Sequence, residues 1–331
     1  MGIAGKPLVS VVTPFYNTAE YLRECIESVL DQSYTNFEYV LVDNQSTDGS
    51  DVIAAEYARK DPRIRLLRTE RFFTQIQNYN FTLSQIAAES RYCKMVQADD
   101  WIFDRCLEDM VAAAELHPSA AVVSSHNLAE TQVWGSGLPA SRVPSFFTGR
   151  DIARKHLLSP IFLFGSPTTV MYRADLVRQR NPSFMEEGRH HPDTEVIFDL
   201  LREHDFVFVH QVLSYIRQQE GSITDLARTH NLERLEFIIM LKRFGRFFLD
   251  AEEYEATWQG AGDWYYRGLA LEWVRSGFRE KNEEYWKRQR VGLAGVGEQI
   301  EMSRLVRATS QLAMTPLKKG RELLAKPRSW F

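Results

Sequence analysis

Residues 96–101 read V-Q-A-D-D-W. Two neighbouring carboxylates, Asp99 and Asp100, suit a hard divalent cation. Mg²⁺ and Mn²⁺ prefer carboxylate oxygens and keep open positions for substrate phosphates. A plainer role is also open, with Asp100 capping a helix that starts near Asp104 and Asp99 simply solvated. A second polar stretch, Asp43-Asn-Gln-Ser-Thr-Asp-Gly-Ser, groups donors and acceptors suited to a base and a ribose. Turns favour the same residues, and Asp48-Gly49 is a turn signal by itself. A third stretch, R-H-H-P-D-T-E-V-I-F-D-L-L-R at 189–202, sets Pro192 before an amphipathic helix and Asp193 at its N-cap. A carboxylate there suits the helix dipole and can also border a cleft. His190 and His191 diverge at i, i+1 spacing and no Cys or His cluster matches them, which disfavours zinc.

The elements that must position these groups follow from periodicity. Leu8–Thr13 is a β-branched run ended by Pro14 and predicts a first strand. Apolar Ala19, Leu22, Ile26, Val29 and Leu30 recur at helical spacing between Thr18 and Gln32. Strands are expected at 37–42, 64–67, 92–96 and 120–125, with helices at 51–59, 77–88 and once more before residue 120. Alternating strands and helices predict a mostly parallel sheet covered on both faces, with ligands at the carboxyl ends of its strands. The polar clusters at 14–17, 43–48 and 99–100 fall at those ends. Residues 128–150 read as a long loop, 161–172 and 206–216 as strands flanking a helix after Pro192, and the chain from about 226 as nearly all helix.

At 331 residues the chain exceeds what one hydrophobic core usually supports. Its 44% hydrophobic and 25% charged content is ordinary for a globular protein, and a net charge of −4 gives no basic field for nucleic acid. Cys25, Cys93 and Cys106 form no C-x-x-C pair, so reduced thiols are expected. The first residues lack the apolar core of a signal peptide, and no apolar run approaches the roughly 18 residues of a membrane span. A cytoplasmic protein is expected, at most attached to a membrane surface.

Taken in order, these stretches resemble the inverting nucleotide-sugar glycosyltransferases of family 2, which have the GT-A fold. The resemblance covers roughly residues 7–225. It rests on P-L-V-S-V-V-T-P-F-Y-N, on L-R-E-C-I-E-S-V-L-D-Q-S-Y-T-N-F-E-Y-V-L-V-D-N-Q-S-T-D-G-S and on V-Q-A-D-D-W. G-S-P-T-T-V-M-Y-R-A-D-L-V, P-D-T-E-V-I-F-D-L-L-R and Y-I-R-Q-Q-E-G-S-I-T complete the set. It implies a Rossmann-like α/β domain over 1–225, with a nucleotide-binding half at about 7–125 and an acceptor-side half at about 126–225. A helical extension would follow at 226–331. Thr13, Pro14, Tyr16, Asp43, Asn44, Ser46 and Gln97 would surround the nucleotide. Asp99 would approach the ribose or metal, Asp100 would ligate Mn²⁺ or Mg²⁺, and Asp193 would be the general base with Glu195 as the competing candidate. The chain departs from the family's usual pattern at Gln97 and Asn44, where acids are common, at Pro192 in place of Glu, and at Gln219 in place of His.

The expected activity is transfer of a sugar from a nucleotide-diphosphate donor, UDP-linked by default, to a saccharide or lipid-linked saccharide of a surface polysaccharide. Gln97 and Gln219 leave open a non-catalytic scaffold of the same fold. A nucleotidyltransferase is disfavoured, because T-P-F-Y-N after the first strand has neither the glycine nor the lysine of a triphosphate loop. From Ser303 to Phe331 seven basic residues, among them Lys318, Lys319, Arg321, Lys326 and Arg328, alternate with leucines and a terminal Trp330-Phe331. Such a segment either packs as a solvated helix or lies on an anionic membrane at the inner face, each cation adding on the order of 1 kcal/mol.

Overall fold

The run from Val9 builds the central strand, β1 (Val9–Phe15), in which every residue is buried. A strand buried on both faces reads as a mostly apolar run, as this one does up to Thr13-Pro14 apart from Ser10, whose hydroxyl bonds Glu38 and Ser90. β1 lies between β2 (Phe37–Asp43) and β4 (Tyr92–Met95), parallel to both, and β3 (Ile64–Arg68) extends the sheet parallel to β2. All four therefore deliver their carboxyl ends to one edge, which is where the polar clusters lie.

The computed structural model describes residues 5–135, 137–139, 141–159, 163–189, 191–218, 232–276 and 283–314. The chain divides into two compact units, residues 1–152 with 161–218, and residues 153–160 with 219–331. The first holds a ten-stranded mixed sheet. To the strands above it adds β5 (Trp101–Ile102), β6 (Ala120–Ala129), β7 (Gln132–Trp134), β8 (Ser145–Phe147), β9 (Val170–Arg173) and β10 (Asp205–Tyr215). The order is β3-β2-β1-β4-β9-β6-β10-β5, with β7 beside β6 and β8 beside β10. β6 and β10 run parallel, while β9 joins the two parallel groups by pairing antiparallel with β4 and with β6.

The helices here are α1 (Leu22–Leu30), α2 (Ser50–Lys60), α3 (Gln75–Leu83), α4 (Cys106–Leu116), α5 (Gly149–Leu158, whose second half falls in the other unit), α6 (Ala174–Gln179) and α7 (Pro192–Leu200). α1 buries Leu22, Cys25, Ile26 and Val29, the stripe its spacing predicts. α3 starts with a reciprocal capping box between Thr74 and Gln77. Cys25, Cys93 and Cys106 are free and buried, and burial pushes the first two thiols up to about 12. The second unit is helical: α8 (Glu233–Phe248), α9 (Ala251–Ser276), α10 (Glu283–Ala294) and α11 (Met302–Ala313), with Leu235, Phe244, Phe248, Trp286 and Leu305 buried. Among the described residues no helix is long and apolar enough to cross a membrane. His190, Gln219 and the basic stretch from Lys318 lie outside the described residues.

Three expectations change. The segment read as a loop at 128–150 carries β7 and β8, too short to show alternation. Of the strand expected over 161–172, the described residues 163–172 form strand only from Val170, in β9 (Val170–Arg173), preceded by a 3₁₀ turn at Pro167–Thr169 capped by Ser166. Pro167 has no N–H for a ladder, so the turn wins over the β-branched sequence after it. Asp193 is the second residue of α7 and not its cap, because Pro192 occupies the first helical position and His191 precedes it.

Gly165 sets the entry to the 3₁₀ turn, with φ at +49° and a site for Cβ only 2.4 Å from Thr169 Oγ1. Gly165→Ala should therefore cost about 2 kcal/mol or more, combining left-handed strain with overpacking. Urea denaturation measures it; a loss under about 0.5 kcal/mol, the range of neutral surface changes, would contradict this reading.

Candidate active site

Two loops at the carboxyl ends of β1 and β2 are fastened together. Asn17 N–H donates to Ser46 Oγ at 3.0 Å, and Thr47 N–H returns a bond to Asn17 Oδ1 at 2.9 Å. Thr18 N–H reaches Ser50 Oγ and Ala19 N–H reaches Asp48 Oδ2, both at 2.9 Å. Asn17 and Gln45 hold φ of 50° and 69°, in the left-handed region that disfavours non-glycine residues. These crosslinks hold both residues there.

Several residues expected to surround a nucleotide are spent in building this edge. Asp43 Oδ1 accepts from Ser46 N–H at 2.8 Å, and its Oδ2 lies 3.0 Å from Arg68 Nη1. Asn44, 3% exposed, donates to Phe73 O and accepts from Phe73 N–H, both at 2.9 Å, which pins the 69–73 segment. Thr13 is buried in the sheet 3.0 Å from the Tyr39 hydroxyl, and Pro14 is buried beside it. Tyr16 is different. It is 45% exposed and meets Phe72, 58% exposed, edge-on with centroids 4.8 Å apart. This pair can stack against a flat ring, and Phe72 is a participant that sequence reading missed, although R-F-F stands out in a polar stretch.

The turn after β4 presents the acidic pair. The two aspartates, adjacent in sequence, have unlike surroundings. Asp100 is 2% exposed; its Oδ2 accepts from Thr168 Oγ1 at 2.6 Å and its Oδ1 from Arg217 N–H at 3.0 Å. Burial first, and the Asp99 charge second, push its carboxyl up to about 7 against those two hydrogen bonds. Asp99 is half-buried, its carboxyl also raised by burial, and Arg217 Nε donates to its carbonyl oxygen at 3.0 Å. No side-chain donor engages the Asp99 carboxylate among the described residues. Arg217 itself is clamped by Glu24 at 2.6 Å and lies over the Tyr21 ring at 4.5 Å. Beneath the turn Lys94 is fully buried, donating to the carbonyls of Thr168 and Val170, and burial lowers its ammonium. Thr168, Arg217 and Lys94 were not singled out by sequence, since nothing local to them points to residues 99–100.

Gln97 Nε2 donates to the Tyr79 hydroxyl at 2.6 Å, and Gln97 N–H to Thr168 Oγ1 at 3.0 Å. Asp193, half-buried, accepts from Thr194 N–H at 2.9 Å, and its charge, like those of Asp99 and Asp100, acts on the Tyr79 phenol. Glu195 is 2% exposed and bonded to Arg189 Nη1 at 2.9 Å, so it is built into the base of α7. Among the described residues no cluster of three or more His, Cys, Asp or Glu could hold a metal alone. One open carboxylate with a second behind it nevertheless fits a Mg²⁺-type ion, which is held by one or two carboxylates together with substrate phosphates.

The unlike surroundings make the two aspartates separable. Asp100→Ala strands the Thr168 hydroxyl and Arg217 N–H in a buried site, at about 1–3 kcal/mol each, whereas Asp99→Ala should fall within about 0.5 kcal/mol of wild type. A carboxyl raised in the folded state contributes stability below its unfolded pKa near 4 that is lost as pH rises through about 7. The metal-free cost of Asp100→Ala should thus be larger at pH 5 than at pH 8. Equal costs for the two substitutions by urea denaturation would contradict this.

Comparison with known proteins agrees with the geometry. The family profile described as Glycosyl transferase family 2 matches residues 10–180. The glycosyltransferase GlyG of Streptococcus pneumoniae is 28% identical over 229 residues, 65% of this chain and 72% of that protein. Staphylococcus aureus TarS, solved with UDP-GlcNAc, shares the fold at a TM-score of 0.57 and 20% identity, over 96% of this chain and 88% of that one. A mannosyltransferase from Pyrobaculum calidifontis, solved with GDP-Man and Mn²⁺, does so at 0.55 and 14%, over 97% and 84%. With its GT-A sheet and an acidic turn at the carboxyl edge, this chain belongs to glycosyl transferase family 2 and is a glycosyltransferase.

Proposed function

We propose that this protein is an inverting transferase that takes a sugar from a nucleotide-diphosphate donor, UDP-linked by default. It passes the sugar to a saccharide or lipid-linked saccharide acceptor of a surface polysaccharide. The observation that carries the reading is the acidic turn at the carboxyl edge of the sheet, where Asp100 is held by Thr168 and Arg217 while the neighbouring Asp99 carboxylate meets no side-chain donor among the described residues. Residues 7–125 would form the donor half and 126–225 the acceptor half. The exposed Tyr16–Phe72 pair would flank the base. Asp43, Asn44 and Ser46 would act by holding the two loops in place. The five basic residues from Lys318 to Arg328 support a peripheral contact with an anionic membrane.

Asp99, with Asp100 behind it, would hold Mg²⁺ or Mn²⁺ together with the donor's diphosphate. A bound ion would neutralise charge on the leaving diphosphate. Asp193 would accept the proton of the acceptor hydroxyl as that oxygen attacks the anomeric carbon from the face opposite the diphosphate. Glu195 is the less accessible candidate, because its carboxylate is buried and paired with Arg189. Arg217 and Thr168 keep the acidic turn in one conformation, which lowers the reorganisation needed when donor binds. The scaffold reading, in which donor is held without turnover, rests on Gln97 and is separated from catalysis by whether bound donor is consumed.

Asp193→Ala should lower the transfer rate by about 10²–10⁴-fold while leaving donor affinity within about twofold. Radiolabelled-donor turnover with parallel calorimetry reads both quantities. An unchanged rate in Asp193→Ala, with loss in Glu195→Gln, would move the base to Glu195.

A further inference from the structure

Gln97 stands where the family resemblance leads one to expect an acid, and its amide has a specific partner. Its Nε2 donates to the Tyr79 oxygen at 2.6 Å, and Gln75, one turn earlier on α3, donates to the same oxygen at 3.0 Å. A phenol oxygen accepting two N–H bonds has its lone pairs engaged and keeps one group to offer, its own O–H. Among the described residues that O–H meets no acceptor. The ring is 8% exposed, and its helix is fixed by Asn80, whose side chain donates to Met185 O at 2.7 Å and accepts from Met185 N–H at 2.8 Å. A nearly buried donor with no acceptor among the described residues is unusual, because buried polar groups are normally satisfied. Its bond to Gln97 sets the phenol beside the turn that carries Asp99. In the reading above, that turn belongs to the diphosphate end of the donor. The sugar attached to the diphosphate would then lie within reach of the phenol.

We propose that Tyr79 is a specificity-determining residue whose O–H donates to a hydroxyl oxygen of the donor sugar, with Gln75 and Gln97 holding the phenol oxygen so that its proton faces the ligand. The inference rests on the nucleotide-sugar reading of this pocket. It gives Gln97 a positive role: an amide can donate to the phenol, which a carboxylate at that position could not do. It also assigns the contact to the sugar and not to the nucleotide, so the two parts of the donor respond differently to removal of one oxygen.

The test is Tyr79→Phe, which keeps the ring and deletes the hydroxyl. Affinities are measured by calorimetry with Mg²⁺ for UDP, GDP, dTDP and CDP, and for their glucose, galactose, N-acetylglucosamine and mannose conjugates. The expected result is unchanged affinity for the bare diphosphate and a loss of about three- to tenfold for the nucleotide sugar, the size of one neutral hydrogen bond. Affinities that fall together, or that both stay, would overturn the assignment. The metal-free unfolding midpoint is recorded alongside; a lowered midpoint with an unchanged affinity ratio means a purely structural tyrosine and also overturns it. If wild type binds no diphosphate or nucleotide sugar, the nucleotide-sugar reading itself has failed, an outcome distinct from failure of the Tyr79 contact alone.

Discussion

One buried carboxylate, Asp100, ties together three stretches of chain far apart in sequence. It receives a hydroxyl from the 3₁₀ turn before β9 and a backbone N–H from the segment after β10, while it sits in the turn after β4. Gln97 and Lys94 also hold Thr168, and Glu24 also holds Arg217, so this tie is reinforced on both sides. The Arg217 side chain is set across the Asp99 carbonyl, and no side-chain donor engages the Asp99 carboxylate among the described residues. The arrangement is costly in electrostatic terms, since burial beside Asp99 opposes ionisation of Asp100. That cost is what a cation would relieve in the proposed site.

The same economy runs through the nucleotide edge. Loops at catalytic edges must be ordered before ligand arrives, or ordering them subtracts from affinity. Here Asn17, Ser46, Asp48 and Ser50 fasten the β1 and β2 loops, and Asn44 fastens the 69–73 segment to them. What stays available to a ligand is sparse: the Tyr16–Phe72 rings, the Asp99 carboxylate, the Tyr79 hydroxyl and Asp193. A site in which most polar groups are internally satisfied and a few are not can discriminate by those few.

Much of this was legible in the sequence, for physical reasons. β1 and β2 are runs rich in Val, Leu and aromatic residues, broken by Ser10 and Glu38, α1 has a stripe at helical spacing, and the turn chemistry at Asp48-Gly49 and the paired acids at 99–100 are local features. What was hidden depends on distance along the chain. Nothing near Asp100 announces that Thr168 and Arg217 will bond it, and nothing near Gln97 announces Tyr79. β5 has two residues and β7 and β8 three each, below any readable period. The shortened β9 reflects Pro167 overriding its neighbours. Asn44 and Thr13, expected to surround a nucleotide, turn their side chains to the protein, which residue type alone cannot reveal.

In the proposed function, Asp99 offers the open carboxylate through which a nucleoside diphosphate and a divalent ion are held together. Thermal unfolding of wild type and Asp99→Ala with UDP, GDP, dTDP or CDP, each with and without Mn²⁺, tests it most directly. At about 100 times its Kd a ligand stabilises by about 2.7 kcal/mol, a clear shift in midpoint. At least one diphosphate is expected to shift wild type in the presence of Mn²⁺ only, and Asp99→Ala to lose the shift while keeping its own midpoint. A shift that needs no metal, one that survives in Asp99→Ala, or none with any nucleotide would contradict it.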